Sequence, residues 1–259
     1  MHRKFLILLG VCLILSLILY PAESRAEEKV NRLILVREMA VKPGMAAQFR
    51  SLMKESVAKA KEYNYTYSWS TMSDGNFHFY MFMPVKDRTD IVPLFEAWNE
   101  VAKQWGEGHD KMWQKLWESS DYLKDYFIWY LPNYSFTPEN PRLKDEEKRY
   151  GIWDMMYIIP GKQKEFYDTL KELLALVKSK NVTEDIYSYS GSWGMELPLH
   201  IGVLMGKDAG DFWNANRKMW EMLGEEGQPL FRKIMSLIKK RDFKQFWYYP
   251  NLSYYPEKE

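Results

Sequence analysis

Three histidines, His78, His109 and His200, are the side chains of this sequence best suited to moving a proton near neutral pH. A fourth, His2, falls in a leader segment. His78 and His200 sit in similar apolar runs, Phe77-His78-Phe79-Tyr80-Met81-Phe82-Met83 and Leu199-His200-Ile201-Gly202-Val203-Leu204-Met205. A Lys-Asp pair follows each run, Lys86-Asp87 and Lys207-Asp208. The pattern predicts two equivalent strands, each with an imidazole on the face opposite its neighbours. Such an imidazole is either a hydrogen-bonded structural group or a proton-transfer group in a pocket. His109 has a different setting. Trp105, His109, Met112, Trp113 and Leu116 fall on one face of a predicted helix. The corresponding residues further on are Leu223, Gly227, Leu230, Phe231 and Ile234, with glycine in place of the imidazole. His109 is therefore a core or helix-terminal residue, or a base acting on a small aromatic substrate.

With 11 Trp, 18 Tyr and 13 Phe, the chain has aromatic rings to line a pocket. Tyr65, Tyr67 and Trp69 alternate along one predicted strand, and Tyr187, Tyr189 and Trp193 are their approximate counterparts. Tyr80, Trp105 and Trp113 complete a candidate ring-lined ligand site, the alternative being ordinary cross-strand aromatic pairs. Arg37 and Asp154 occupy equivalent first strands and are expected to pair across the contact between two halves, or to face solvent.

The other expectations concern compartment and partners. Residues 1 to 26 read as a secretory signal, with basic Arg3 and Lys4, an apolar run from Phe5 to Leu19, and small residues around Ser24 and Ala26. The run is short for a spanning helix, so the mature chain is expected to be secreted or periplasmic, with no stable membrane insertion. Cys12, the one cysteine, lies inside the leader, which removes thiolate metal sites, disulfides and a cysteine nucleophile from the mature protein. With 36 basic and 35 acidic side chains the charge is nearly balanced, and nucleic acid is not an expected partner. No nucleotide-binding glycine loop, zincin motif or nucleophile elbow is present, and three dispersed histidines do not make a metal cluster. Asn64, Asn133, Asn181 and Asn251 begin Asn-x-Ser/Thr sequons, which matter only in a eukaryotic secretory pathway.

The elements that would position these residues occur twice. Pro132-Asn133-Tyr134-Ser135-Phe136-Thr137-Pro138-Glu139 matches Pro250-Asn251-Leu252-Ser253-Tyr254-Tyr255-Pro256-Glu257, and Pro43-Gly44 with Phe49 matches Pro160-Gly161 with Phe166. Periodicity predicts a strand at Leu33 to Met39, a helix at Met45 to Tyr63, a hairpin of Tyr65 to Met72 and Phe77 to Met83, a helix at Asp90 to Tyr122 and a strand at Tyr126 to Leu131. The second set is Tyr150 to Ile158, Lys162 to Lys178, Asp185 to Trp193, Leu199 to Met205, Asp208 to Lys240 and Phe246 to Tyr249. The expected class is α+β, with one ferredoxin-like βαββαβ unit over 27–141, a linker at 142–149 and a second unit over 150–259. Each unit leaves one sheet face bare, and two copies can cover each other there.

Two such units with a long second helix resemble the dimeric α/β-barrel superfamily, which includes antibiotic-biosynthesis monooxygenase-like, NIPSNAP-like and stress-responsive barrel families. The resemblance covers nearly the whole mature chain and implies an intrachain version of that barrel with a pocket between sheet and helices in each half. It implies cofactor-independent oxygenation as in some relatives, or haem as in chlorite dismutase-like ones, with His109 as the axial ligand. The leading expectation is a small apolar or aromatic ligand, bound or transformed by an oxygenase- or isomerase-like activity using His109, His78 or His200. The alternatives are a haem-binding protein and a non-catalytic envelope interaction protein. Because duplication supplies the pairing that single units obtain by dimerising, a monomer is expected.

Overall fold

The alternation of Arg32–Val41 gives strand β1 in a computed structural model that describes residues 30–257. The leader read at residues 1–26 lies outside the described residues. Helix α1 (Ala46–Glu62) follows, then strands β2 (Ser70–Ser73) and β3 (His78–Val85), helices α2 (Ile91–Trp105) and α3 (Glu107–Glu118), and β4 (Ser120–Tyr130). Beyond a connection with a short 3-10 turn at Asp145–Glu147 come β5 (Tyr150–Ile158), α4 (Gln163–Ser179), β6 (Tyr187–Gly191), β7 (Leu199–Gly206), α5 (Ala209–Ser236) and β8 (Ile238–Tyr248).

The eight strands close into one antiparallel barrel in the order β1-β3-β2-β8-β5-β7-β6-β4, with β4 paired back onto β1. Closure leaves no strand edge unpaired around the ring. Alternation splits each strand between two environments. Val36, Tyr80, Ile128, Trp153, Ile201 and Phe246 fill the barrel interior. Leu33, Leu35 and Met39 point outward to α1, α2 and α3, and Met156 and Ile158 to α4 and α5. Phe49 on α1 and Phe166 on α4, 117 positions apart, are both fully buried.

The two long predicted helices are shorter than their periodicity implied. The first breaks at Gly106 and ends at Glu118, and the second ends at Ser236, where the expected helix to Lys240 gives way to β8. Lys239, Lys240 and Arg241 lie on this strand, whose exposed charges hid its period of two. Gly106 has φ 66° and ψ −140°, and Gly224 within α5 has φ 54° and ψ −145°. That region is nearly closed to side chains other than glycine's, so each helical run is bent at a glycine.

The segments that leave the two halves are exchanged. Trp69 and Tyr254 trade backbone N–H to carbonyl bonds of 2.9 Å, and Phe136 and Ile186 trade bonds of 2.8 Å. Thr71 N–H donates to Ser253 Oγ at 2.9 Å, just as Ser188 N–H donates to Ser135 Oγ at 2.9 Å. The tail after β8 thus packs on the first half, and the stretch after β4 packs on the second. The buried Trp69 indole adds a 2.9 Å bond from Nε1 to the Leu252 carbonyl, which also accepts from Thr71 Oγ1 at 2.7 Å. Because that carbonyl keeps its second donor, Trp69→Phe should cost only about 1–2 kcal/mol in denaturant unfolding. A loss below about 0.3 kcal/mol would show that the indole bond does not hold the tail.

Candidate functional site

Between the outer face of β5, β7 and β8 and the helices α4 and α5 lies a cavity of about 190 Å³. Its walls are aliphatic and aromatic, among them Met156, Leu170, Val177, Leu223 and Phe231. Exposed Trp213 and Phe243 mark its opening to solvent. Gly202 forms part of the sheet-side floor, and a Cβ built there would have 3.9–4.0 Å of clearance from Met156, Asp154 and His200.

Besides Ser188 and Asn216, three polar side chains interrupt this apolar lining. The first two form an ion pair, in which Arg241 Nε donates to Asp154 Oδ1 at 2.7 Å and Nη2 to Oδ2 at 2.6 Å. The guanidinium also lies against the rings of Phe231, at 5.2 Å, and Phe243, at 4.5 Å. A fork held on both edges and covered by rings is rigid, so this pair shapes the mouth and has little charge left to offer a ligand. The third is His200, 1 % exposed, packed against Phe166 and Tyr167 at ring-centroid distances of 5.2 and 5.7 Å. Its Nδ1 is fully buried without a hydrogen-bond partner, and its Nε2 lies on the Gly202 side, 4.0 Å from the built Gly202 Cβ. Burial pushes the imidazole down to about 3, so it is neutral at physiological pH.

The first half has a smaller space at the matching place, about 100 Å³, against β1, β3 and the stretch that holds Tyr65 and Trp69. Register explains the difference. Arg37 on β1 faces Met81 on β3, whereas Asp154 on β5 faces Gly202 on β7. The methionine side chain lines the first cavity, and nothing stands in its place in the second. Trp69, which pairs with Tyr254, matches Ile186, which pairs with Phe136, and this further widens the second.

The structure disperses the residues expected to form one site. His78 and His200 are on corresponding strands but out of phase by one position: His78 faces Ala40, and His200 faces Met156. His200 points to the helices, where Phe79 stands in the first half, while His78 lies beside Asp74, with Nδ1 3.1 Å from Oδ2 but off hydrogen-bond geometry, and near Tyr122. The expected equivalence of the two imidazoles is corrected accordingly. Tyr65, Trp69 and Trp113 line the first cavity, Tyr187 and Tyr189 face the barrel interior, and Tyr80 is buried inside the barrel. Tyr67 donates to Asp90 at 2.8 Å, and Trp193 is exposed under the Arg88 guanidinium. Arg37 and Asp154 do not meet; Arg37 makes a two-bond pair with Asp125 and Asp154 pairs with Arg241, each within its own half.

His109 is enclosed by Trp98, Trp105 and Trp113, with ring centroids at 5.9–6.3 Å. Its Nε2 is buried without a partner and its Nδ1 lies 3.3 Å from Asp110. A haem macrocycle needs open space beyond the ligating nitrogen, and three indoles occupy the surroundings of this ring. His109 therefore does not fit the axial role that the resemblance implied. Gly202, Arg241 and Phe243 are not among the expected site residues; the signal that identifies Gly202 is its difference in size from Met81 at the matching register.

Comparison with solved structures places the fold. A proposed monooxygenase from Lactobacillus acidophilus NCFM superposes with a TM-score of 0.55 at 7% identity, over 87% of this chain and 96% of that one. An anthrone oxidase-like protein gives 0.56 at 14% identity, over 85% and 92%. A proposed monooxygenase from Fusobacterium nucleatum subsp. nucleatum ATCC 25586 gives 0.56 at 10% identity, over 85% and 93%. No family model and no curated protein matches the sequence. The chain has the fold of the dimeric α/β-barrel proteins, here with all eight strands in a single polypeptide. At these identities the likeness is one of fold, and function has to be argued from the cavity.

Proposed function

We propose that this is an exported, monomeric, tandemly duplicated barrel protein that binds one small, largely apolar ligand carrying a single polar group in the second-half cavity. The observation that carries the reading is the neutral His200 imidazole in a largely apolar cavity whose two charged side chains, Asp154 and Arg241, are paired with each other. The Nε2 atom on the Gly202 side of the ring offers a ligand hydroxyl or N–H a hydrogen bond inside an environment with little water to compete for it. Size supports the same class, since a cavity of about 150 Å³ holds benzene and this one is about 190 Å³. Phenol- and indole-sized molecules fit that description.

Duplication is supported by the corresponding positions of Asn64 and Asn181, both with left-handed φ of 53° and 52°, and by the matched glycine bends. Export rests on the leader, and the monomer on the barrel's being complete within one chain. Binding is favoured over proton-transfer catalysis because an imidazole with so low a pKa is a weak base at neutral pH. His200 is then a hydrogen-bond partner that orients the ligand.

Titration of the mature protein with indole, phenol and benzene, followed by calorimetry, tests the reading. One site per chain is expected, with phenol and indole about tenfold tighter than benzene, the worth of one hydrogen bond. Absence of saturable binding by all three would overturn it.

A further inference from the structure

A second and separate cavity opens inside the barrel. One end of the interior is plugged, where Tyr80 donates toward Asp74 at 3.3 Å and accepts from Lys244 at 2.8 Å, with Tyr126 and Tyr157 filling the space around them. At the other end smaller or more pliable side chains, including Ile34, Met72, Val203 and Met205, leave about 630 Å³ connected to solvent. An eight-stranded barrel is just wide enough to be filled by its own side chains or to hold one small ligand, and here the two ends differ in which they do.

The rim of this mouth is built from the connection after β4 and from the tail after β8. Its charges are not equivalent. Lys148 is spent, with Asp145 at 2.6 Å, Asp185 at 2.8 Å and the Tyr187 hydroxyl at 2.9 Å. Glu146 is exposed at the rim, where water and salt screen it. Arg149 is half-buried, gives one bond of 3.0 Å to the Lys148 carbonyl and lies 5.8 Å from the Tyr248 ring. It has no carboxylate within ion-pair distance among the described residues, so most of its five N–H donors remain free. Tyr248 and Tyr255, whose hydroxyls lie 3.2 Å apart, stand beside it.

We propose that the barrel mouth is a second ligand site, for an amphiphile whose apolar body enters the barrel and whose carboxylate is held at the rim by Arg149. The apolar depth supplies affinity, and the unpaired guanidinium selects the sign of the head group. The site shares neither its opening nor its polar groups with the second-half cavity, so the two stand or fall separately.

Decanoate, 1-decanol and decyltrimethylammonium have one chain length and three head groups. Calorimetric titration below their aggregation concentrations should give one decanoate per chain, bound at least about tenfold more tightly than the ammonium compound. Arg149→Gln should weaken decanoate about tenfold and leave decanol unchanged. Met72→Trp, which fills the apolar depth, should abolish binding of both, whereas Gly202→Met should affect neither. Arg149 lies at the surface rim, so its variant remains informative if Met72→Trp does not fold. No decanoate binding, equal binding of all three compounds, or unchanged decanoate affinity in Arg149→Gln would each overturn the proposal.

Discussion

Replacing Gly202 with methionine is expected to abolish binding in the second-half cavity while the protein stays folded. The substitution copies what the first half already contains, since Met81 occupies the matching register opposite Arg37. A new Cβ meets only ordinary contacts at 3.9–4.0 Å, on the residue that lines the cavity floor. Affinity for indole or phenol should fall by about a hundredfold, or roughly 2.7 kcal/mol, because the ligand's own volume is taken. Stability should hold or rise by about 0.5–1 kcal/mol, since glycine in a strand is costly and a void is filled. Calorimetric binding and denaturant unfolding on the same sample separate the two effects. A folded variant that still binds indole as tightly as the parent would place the ligand elsewhere.

The second large effect concerns acid. His200 titrates at about 3 in the folded protein because it is buried, and near 6.5 in an unfolded chain. Between these values the unfolded chain takes up a proton that the folded one refuses. Stability from this group is therefore complete above about pH 6.5 and falls by up to about 1.4 kcal/mol for each unit below it, toward pH 3. Carboxylates add their own acid dependence, so the informative quantity is a difference. His200→Phe removes the titration and reproduces the first half, where Phe79 packs on Phe49 at 4.7 Å, much as His200 packs on Phe166 at 5.2 Å. Unfolding free energies from pH 7 to pH 4 should show the variant losing about 3 kcal/mol less than the parent. Parallel curves would mean that the imidazole is not held neutral by the fold.

Much of this architecture was legible because its signals are local or repeated. The Pro-Gly turns, the alternating strands and the matched Pro-Asn-x-Ser segments point to the order of elements and to an α+β barrel. The site was harder to read for a geometric reason. Arg37 and Asp154 are 117 positions apart, but Met81 and Gly202 are 121 apart, because the β6–β7 connection is longer than the β2–β3 turn. Aligning the two imidazoles instead implies a separation of 122, and a one-residue slip in a strand sends every side chain to the opposite face. That offset joined His78 with His200 and set Tyr187 against Tyr65, which belong to separate core clusters, one inside the barrel and one under the helices. The three indoles around His109 fit the helical period, but which groups they enclose depends on the bend at Gly106, and periodicity does not report a bend.

The exchanged segments give the chain an order of dismantling that runs against its order of synthesis. Residues 250–257 are the last of the described chain to leave a ribosome, yet Leu252 and Tyr254 belong to the core beneath Trp69 and Phe49. An exopeptidase working inward from the carboxyl end would therefore open the amino-terminal half first, before it reached any strand of the half to which those residues are joined.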